Sequence, residues 1–213
     1  MNSDSTPYWL TWTRQLRALA QEGLTYATDP YDLDRYRRLR LLAAEIGAHH
    51  THSTSQELTG LFELDTGHQT PKIDVRGVVM HDERLLLVRE RSDGGWTLPG
   101  GWADPGESPG EAVAREVREE AGMRVRPIKL IAFLDRDRHG HPPHADHIYK
   151  AIFLCESEEE LTGRVDGLET DGVRYFHPSE MSAIALSLSR TTPTLIDLAL
   201  THARHVSAPT QFD

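Results

Sequence analysis

The 213-residue chain has a single cysteine, Cys155, so an intramolecular disulfide is excluded. That residue lies in the apolar run IYKAIFLCE and reads as a buried, inert thiol. No stretch approaches 18 consecutive apolar residues, and the opening MNSDSTPYWL lacks the basic start and apolar run of a signal peptide. These absences predict a cytoplasmic protein with no membrane span. Basic clusters are missing too. With a net charge of -10, nothing on the chain can replace the counterions of nucleic acid or of an anionic membrane. Part of that charge is local, because Glu156 to Asp171 carries seven acidic residues against one Arg. There is no internal repeat. A hydrophobic content of 38% suffices for a packed core, in one large domain or in an ordinary domain with a small companion.

Residues 8–22 place Trp9, Trp12, Leu16, Leu19 and Ala20 at helical spacing, with Gly23 as the expected stop. YDLDRYRRLRLLAAEIGAHH repeats the pattern up to Gly47, and Thr54 with Glu57 forms a capping box for a third helix. Residues 1–66 are therefore expected to form a small all-helical domain, too small to bury all its apolar side chains. The cover is either the rest of the chain or a second subunit, and the expectation is a homodimer with this unit in the interface. From residue 67 to 213 the period changes. IDVRGVVMH, a turn at Asp82-Glu83 and RLLLVRE read as a hairpin. A short strand at GWTLPGG, a helix over 109–121 stopped by Gly122, strands at PIKLIAFLD, IYKAIFLCE and GVRYFHP, and a last helix over 192–205 follow. This is an α+β pattern with a mixed sheet.

The helix AREVREEAG crowds Glu116, Glu119 and Glu120, although like charges at this spacing oppose helix formation. At 100° per residue, with Glu116 at zero, Glu120 falls at about +40° and Glu119 at about -60°. Val113, Val117, Ala121 and Ala114 lie between about +60° and +160°, so the carboxylates border the buried stripe. Half-burial makes their repulsion more expensive. Arg115 can reach Glu111 and Glu119, but one guanidinium cannot neutralise three carboxylates and Glu107 as well. A hard divalent cation such as Mg²⁺ can, since it takes a few carboxylates together with a substrate's phosphates. Counting from Gly101, seven fixed positions at about one in fifteen each would coincide by chance on the order of 10⁻⁸ per starting point.

The segment GGWADPGESPGEAVAREVREEAGM resembles the Nudix box in full: Gly, five residues, Glu, seven residues, Arg-Glu-aliphatic-any-Glu-Glu-any-Gly-aliphatic. The resemblance implies a Nudix-type α/β/α sandwich and hydrolysis of a nucleoside diphosphate linked to another group X. It also implies that Glu116 and Glu120 bind divalent metal, Mg²⁺ or Mn²⁺, with Glu119 and Gly101 in support. Arg115 would orient the carboxylates, and Glu107 would hold Arg115. The helical start, QTPKIDVRG and HGHPPHADHIYKAIFLCE resemble the subgroup with a helical N-terminal extension, whose members include CDP-choline and ADP-ribose pyrophosphatases and are typically dimers. SEEELTGRVDG departs from that pattern as an insertion.

Two kinds of general base are open: Glu116 or Glu119 on the helix, and Glu169 in the later acidic loop. Arg89 and Arg91 offer guanidinium forks to phosphate or are simply solvated. Trp102 either stacks on a ring of the substrate or is buried against the box helix. His139, His141, His144 and His147 flank Pro142-Pro143 without a zinc spacing. They form either a plain surface loop or, as the resemblance implies, a Pro-stiffened loop lining the substrate pocket, with His144 as the binding residue. A Nudix-fold regulator beside a DNA-binding module is the rival reading. It fits poorly, because residues 1–70 hold six basic against nine acidic residues and a DNA reader should be basic. A vestigial box is disfavoured because every acidic position is present.

Overall fold

The computed structural model describes residues 6–159, 161 and 169–213. The middle of the acidic insertion, residues 160 and 162–168, lies outside the described residues. The chain divides into two compact units, Met1–Pro71 with Pro143–His147, and Lys72–Pro142 with Ile148–Asp213.

The first unit is built on α1 (Tyr8–Tyr26), α2 (Pro30–His49) and α3 (Ser55–Glu63). Asp29 caps α2 by accepting from the amides of Tyr31 and Asp32, and the capping box of Thr54 and Glu57 starts α3. Neither expected glycine stop ends its helix, since α1 runs on to Tyr26 and α2 to His49. The two glycines serve close packing. A Cβ on Gly23 would lie 2.3 Å from the ring of Tyr36, and one on Gly47 would lie 2.9 Å from Leu58. The buried face of α1 is Leu10, Thr13, Arg17, Ala20 and Gln21. Arg17 is committed inside this unit. Its Nη1 donates to Asp146 Oδ1 at 2.8 Å, its Nη2 reaches Asp65 at 3.3 Å, and its guanidinium lies 4.7 Å above the Phe62 ring.

The second unit carries β1 (Lys72–His81), β2 (Arg84–Glu90), β3 (Trp96–Thr97), α4 (Pro109–Ala121), β4 (Val125–Asp135), β5 (Ile148–Ser157), β6 (Thr170–Phe176), α5 (Pro193–Arg204) and β7 (Gln211–Phe212). The strand order is β3-β2-β1-β5-β4-β7, with β6 also on β2. Pairing is mixed: β1 is parallel to β5, and β1–β2 and β4–β5 are antiparallel. Asp82 and Glu83 both take positive φ, the geometry a two-residue hairpin turn demands. One face of the sheet packs Val75, Val79, Leu86 and Val88 with Val113 and Val117 of α4. The other packs Leu85, Leu87, Ile131 and Ile152 with Leu195 and Ala199 of α5. The unit is thus an α/β/α sandwich. Three short elements were not foreseen, the 3₁₀ turns over Arg136–Arg138 and Pro178–Ala183 and the strand β7.

One irregularity positions the site. Strands β1 and β2 pair only next to their turn, at Met80–Leu85 and His81–Arg84. The Gly100–Gly101 segment takes up the edge of β1 that this leaves. Val75 N–H donates to Gly101 O and Gly77 N–H to Pro99 O, both at 2.8 Å. Gly100 sits at φ 146°, and a Cβ there would stand 2.0 Å from Val75 O, so only glycine lets the segment lie this close.

Candidate active site

Helix α4 is fixed at both ends. Ser108 and Glu111 form a capping box with Pro109 in the first turn, and Gly122 closes the helix at φ 65°. With the helix pinned, its carboxylates face the Gly pair. Glu120 is buried, and its Oε2 accepts the Gly100 N–H at 2.8 Å. Burial pushes its carboxyl up to about 7, against the opposing charge of Arg76. Glu116 is also shifted upward by burial, against Arg115. Its carboxylate lies 2.9 Å from where a Cβ on Gly101 would stand, so a side chain at 101 would push it away. Glu119 is half exposed.

Arg115 joins these groups. It donates to Glu107 through Nε (3.1 Å) and Nη2 (2.7 Å), to Glu116 at 2.8 Å, to Glu119 at 3.2 Å and to Trp102 O at 3.1 Å. Glu107 is held down to about 2, chiefly by the Arg115 hydrogen bond. The sequence reading thus located Gly101, Glu107, Arg115, Glu116, Glu119 and Glu120 in one place.

The other candidates are distributed differently. Arg89 Nε donates to Asp171 at 2.7 Å, and Arg91 Nε donates to Thr170 O at 3.0 Å. Glu169 is exposed, and its carbonyl accepts the Arg91 N–H at 2.9 Å. Trp102 is 45% exposed and bridges to Asp74 of β1, so it is not buried against α4. The histidines separate. His139 pairs with Asp213 at 3.0 Å, and His141 Nδ1 donates to Leu188 O at 2.7 Å. His144 belongs to the helical unit, where Arg14 donates to its carbonyl and its Nδ1 accepts the Asp146 N–H.

A buried charge cluster beside the carboxylates escaped the sequence reading. Arg76 makes a bidentate pair with Asp74 at 2.8 and 2.7 Å and donates to Leu98 O at 3.1 Å, and Lys150 Nζ donates to Asp74 at 3.0 Å. Arg76 and Lys150 are each 1% exposed. Burial works against the Asp74 charge, yet Arg76 and Lys150 hold its carboxyl well below the usual range. Burial pushes Lys150 down to about 8. The signal was present in IDVRGVV and IYKAIF, strands apolar enough to be buried on both faces that nevertheless carry charges.

This geometry can be set beside known proteins. Residues 71–195 match the model of the NUDIX domain, and residues 7–62 match the UDP-X-like N-terminal oligomerisation domain. The chain belongs to the Nudix family. It is 38% identical over 205 residues to a putative ADP-ribose pyrophosphatase, YjhB, of Bacillus subtilis, covering 96% of this chain and 97% of that one. A crystal structure of a UDP-X diphosphatase superposes with a TM-score of 0.61 at 27% identity, over 97% of this chain and 98% of that one. An ADP-ribose pyrophosphatase from Streptococcus suis gives a TM-score of 0.60 at 32% identity, over 68% of this chain and all of that one. The protein is a Nudix pyrophosphohydrolase. Among the described residues no helix is long and apolar enough to cross a membrane.

Nudix hydrolases generally need a divalent metal ion. Among the described residues no three His, Cys, Asp or Glu side chains form a set able to hold a metal unaided. Mg²⁺ does not require one, because it is commonly held by one or two carboxylates plus phosphate and water. Glu116 and Glu120 are two hard oxygen donors that burial shifts upward against the pull of Arg115 and Arg76, and a divalent ion would offset that cost of holding both charged, so this Nudix site fits the ion.

Proposed function

We propose that this Nudix hydrolase cleaves the pyrophosphate bond of a nucleoside diphosphate linked to a second group X, with ADP-ribose or CDP-choline favoured. The products would be a nucleoside monophosphate and a phosphorylated X. The observation that carries this reading is the pair Glu116 and Glu120, both shifted upward by burial, against the Gly100–Gly101 backbone. The names of the similar pyrophosphatases support the substrate class. Mg²⁺, with Mn²⁺ as a substitute, supplies charge neutralisation on the phosphate oxygens and acidifies a water when bound.

Glu116 and Glu120 would hold the ion, with Glu119 and Gly101 in support. Arg115 orients Glu116 and Glu119 by hydrogen bonds, and Glu107 anchors Arg115. Glu169 takes the proton of the attacking water. The water oxygen then forms the new P–O bond as the bridging P–O bond breaks, and the second phosphate departs with the bridging oxygen. Glu169 suits this role because its side chain is exposed, whereas Arg115 ties both Glu116 and Glu119. Trp102 offers a ring face to a base, and Arg89, shared with Asp171, reaches phosphate. Arg91 and His144 are engaged in backbone contacts and contribute less to binding in this reading.

We further propose a homodimer formed through residues 1–66. Tyr8, Trp12, Leu19 and Tyr26 lie on one stripe of α1, within about 40° by helical geometry, and all are exposed. A stripe of this kind needs cover. A cytoplasmic setting belongs to the same reading, in keeping with the single, buried and unpaired thiol of Cys155.

A phosphatase-coupled release assay over CDP-choline, ADP-ribose, NADH, nucleoside triphosphates and capped RNA, with Mg²⁺ and Mn²⁺, tests the reading. Turnover of ADP-ribose or CDP-choline is expected. Glu169→Gln should lower kcat by about 10²-fold or more while leaving Mn²⁺ affinity unchanged. A kcat within a few-fold of wild type would transfer the base role to the helix.

A further inference from the structure

The geometry points to Arg190, seated on the buried carboxylate of Glu90, as the cation that grips a phosphate oxygen of the substrate's diphosphate beside Glu116 and Glu120. This rests on the pyrophosphohydrolase reading and adds a phosphate-binding residue to it. Glu90 ends β2 and is 1% exposed, yet neither of its carboxylate oxygens accepts a hydrogen bond among the described residues. Arg190 Nε stands 2.9 Å from Glu90 Oε1, close enough for charge pairing, although the N–H is not aligned for a hydrogen bond. Burying a carboxylate without hydrogen bonds is costly, so the pair is a poor device for stability alone. For the same reason its guanidinium can turn toward an incoming anion without breaking an aligned bond. Its side chain is 30% exposed, which leaves the guanidinium within reach of a ligand.

Two sets of contacts tie the immediate neighbours of the Arg190–Glu90 pair to the segments that carry the site. The next residue, Thr191, shares a hydrogen bond with Thr97 Oγ1 at 2.8 Å and accepts the Leu98 N–H at 3.2 Å, just before the Pro99–Gly101 segment. On the other side, Glu90 pairs across the sheet with Thr170, whose Oγ1 donates to Glu120 O at 3.2 Å. The turn carrying Arg190 is held firmly. Arg190 N–H donates to Ser187 O, Ser187 N–H donates to Trp96 O, and Ser187 Oγ donates to Asp93. A Cβ on Gly95 would lie 2.5 Å from Ser187 N, so the turn sits directly on that glycine.

The chemistry selects the ligand group. A planar guanidinium whose Nη atoms make no hydrogen bond among the described residues matches phosphate oxygens, and the non-bridging oxygens of a diphosphate carry the charge that catalysis must neutralise. Arg89 and Arg91, the arginines suggested by the sequence, already make aligned hydrogen bonds to Asp171 and Thr170. Arg190 makes none to Glu90.

Titration calorimetry with imidodiphosphate, a non-hydrolysable diphosphate, separates this role from a structural one. Arg190→Ala should weaken imidodiphosphate binding about tenfold or more and lower kcat/KM for ADP-ribose by a similar factor. Free guanidinium at non-denaturing concentration should restore part of both losses. Affinity for Mn²⁺ alone should be unchanged or higher, because a competing cation has been removed. Arg190→Lys should recover only part of the binding, and Glu90→Gln should weaken it less than Arg190→Ala. Wild-type imidodiphosphate affinity in Arg190→Ala, no binding by the wild type, or a loss matched by a lower melting temperature and untouched by guanidinium overturns the proposal. If the wild type binds imidodiphosphate through Arg190 but turns over no nucleotide, the substrate reading fails and the phosphate site stands.

Discussion

Glu120 carries the most consequential shift at the scale of single residues. Burial raises its carboxyl to about 7 from an ordinary 4.5, so over that interval the folded protein keeps a proton that the unfolded chain has released. The stabilising contribution is therefore fully present below the unfolded value and is lost as pH rises through about 7. The metal-free protein should become less stable from about pH 5 to about pH 8 on account of this group, and a divalent ion should offset the loss. The rise in melting temperature on adding Mg²⁺ should accordingly be larger near pH 8 than near pH 5. Differential scanning fluorimetry at both values checks this, and an Mg²⁺ effect that ignores pH would count against Glu120 as a ligand. Box residues were legible individually because their chemistry is fixed by type and spacing. Arg76, Glu90 and Arg190 were not, since a charge in a strand or turn reveals its partner only when the chain has folded.

At the scale of elements, propensity and packing gave different answers at the same residue type. Gly122 ends α4 in the left-handed conformation, as its position after the last apolar residue suggested. Gly23 and Gly47 looked identical in the sequence, yet both lie inside helices that need a close neighbour more than a stop. A matched pair of substitutions separates the two effects. Gly60, inside α3, has nothing within 4 Å of where a Cβ would stand, so Gly60→Ala should stabilise by about 0.5–1 kcal/mol through helix propensity. Gly23→Ala should instead cost roughly 1–3 kcal/mol, because its Cβ enters the Tyr36 ring at 2.3 Å. Urea unfolding of the two variants gives both signs in one experiment. Equal stabilisation by both would show that the α1–α2 contact is loose.

At the scale of the whole molecule, the helical unit leaves Tyr8, Trp12, Leu19 and Tyr26 uncovered on one stripe. A homodimer through this stripe predicts that Trp12→Glu with Leu19→Glu gives a monomer by light scattering at micromolar concentration, with the secondary structure retained. A wild-type monomer under the same conditions would remove the dimer from the proposal. The helical unit also claims a piece of the later chain, because Pro143–His147 packs with it and Arg17 binds Asp146. That is why His144, close in sequence to His141, falls in a different unit.

Local structure was settled by the order of residues alone: the period change near residue 70, the capped helix α4, the hairpin at Asp82-Glu83 and the spacing that puts Glu116 and Glu120 on one side of α4. Each of these depends on neighbours within a few positions, where backbone geometry and charge repulsion act directly. Tertiary structure decided the rest. It set which glycines are stops and which are contact points, seated the Gly pair along the free edge of β1, buried Arg76 with Asp74, and brought Arg190 to Glu90 across 100 residues of chain. Such pairings follow from the path of the chain in space, and no short-range pattern encodes them.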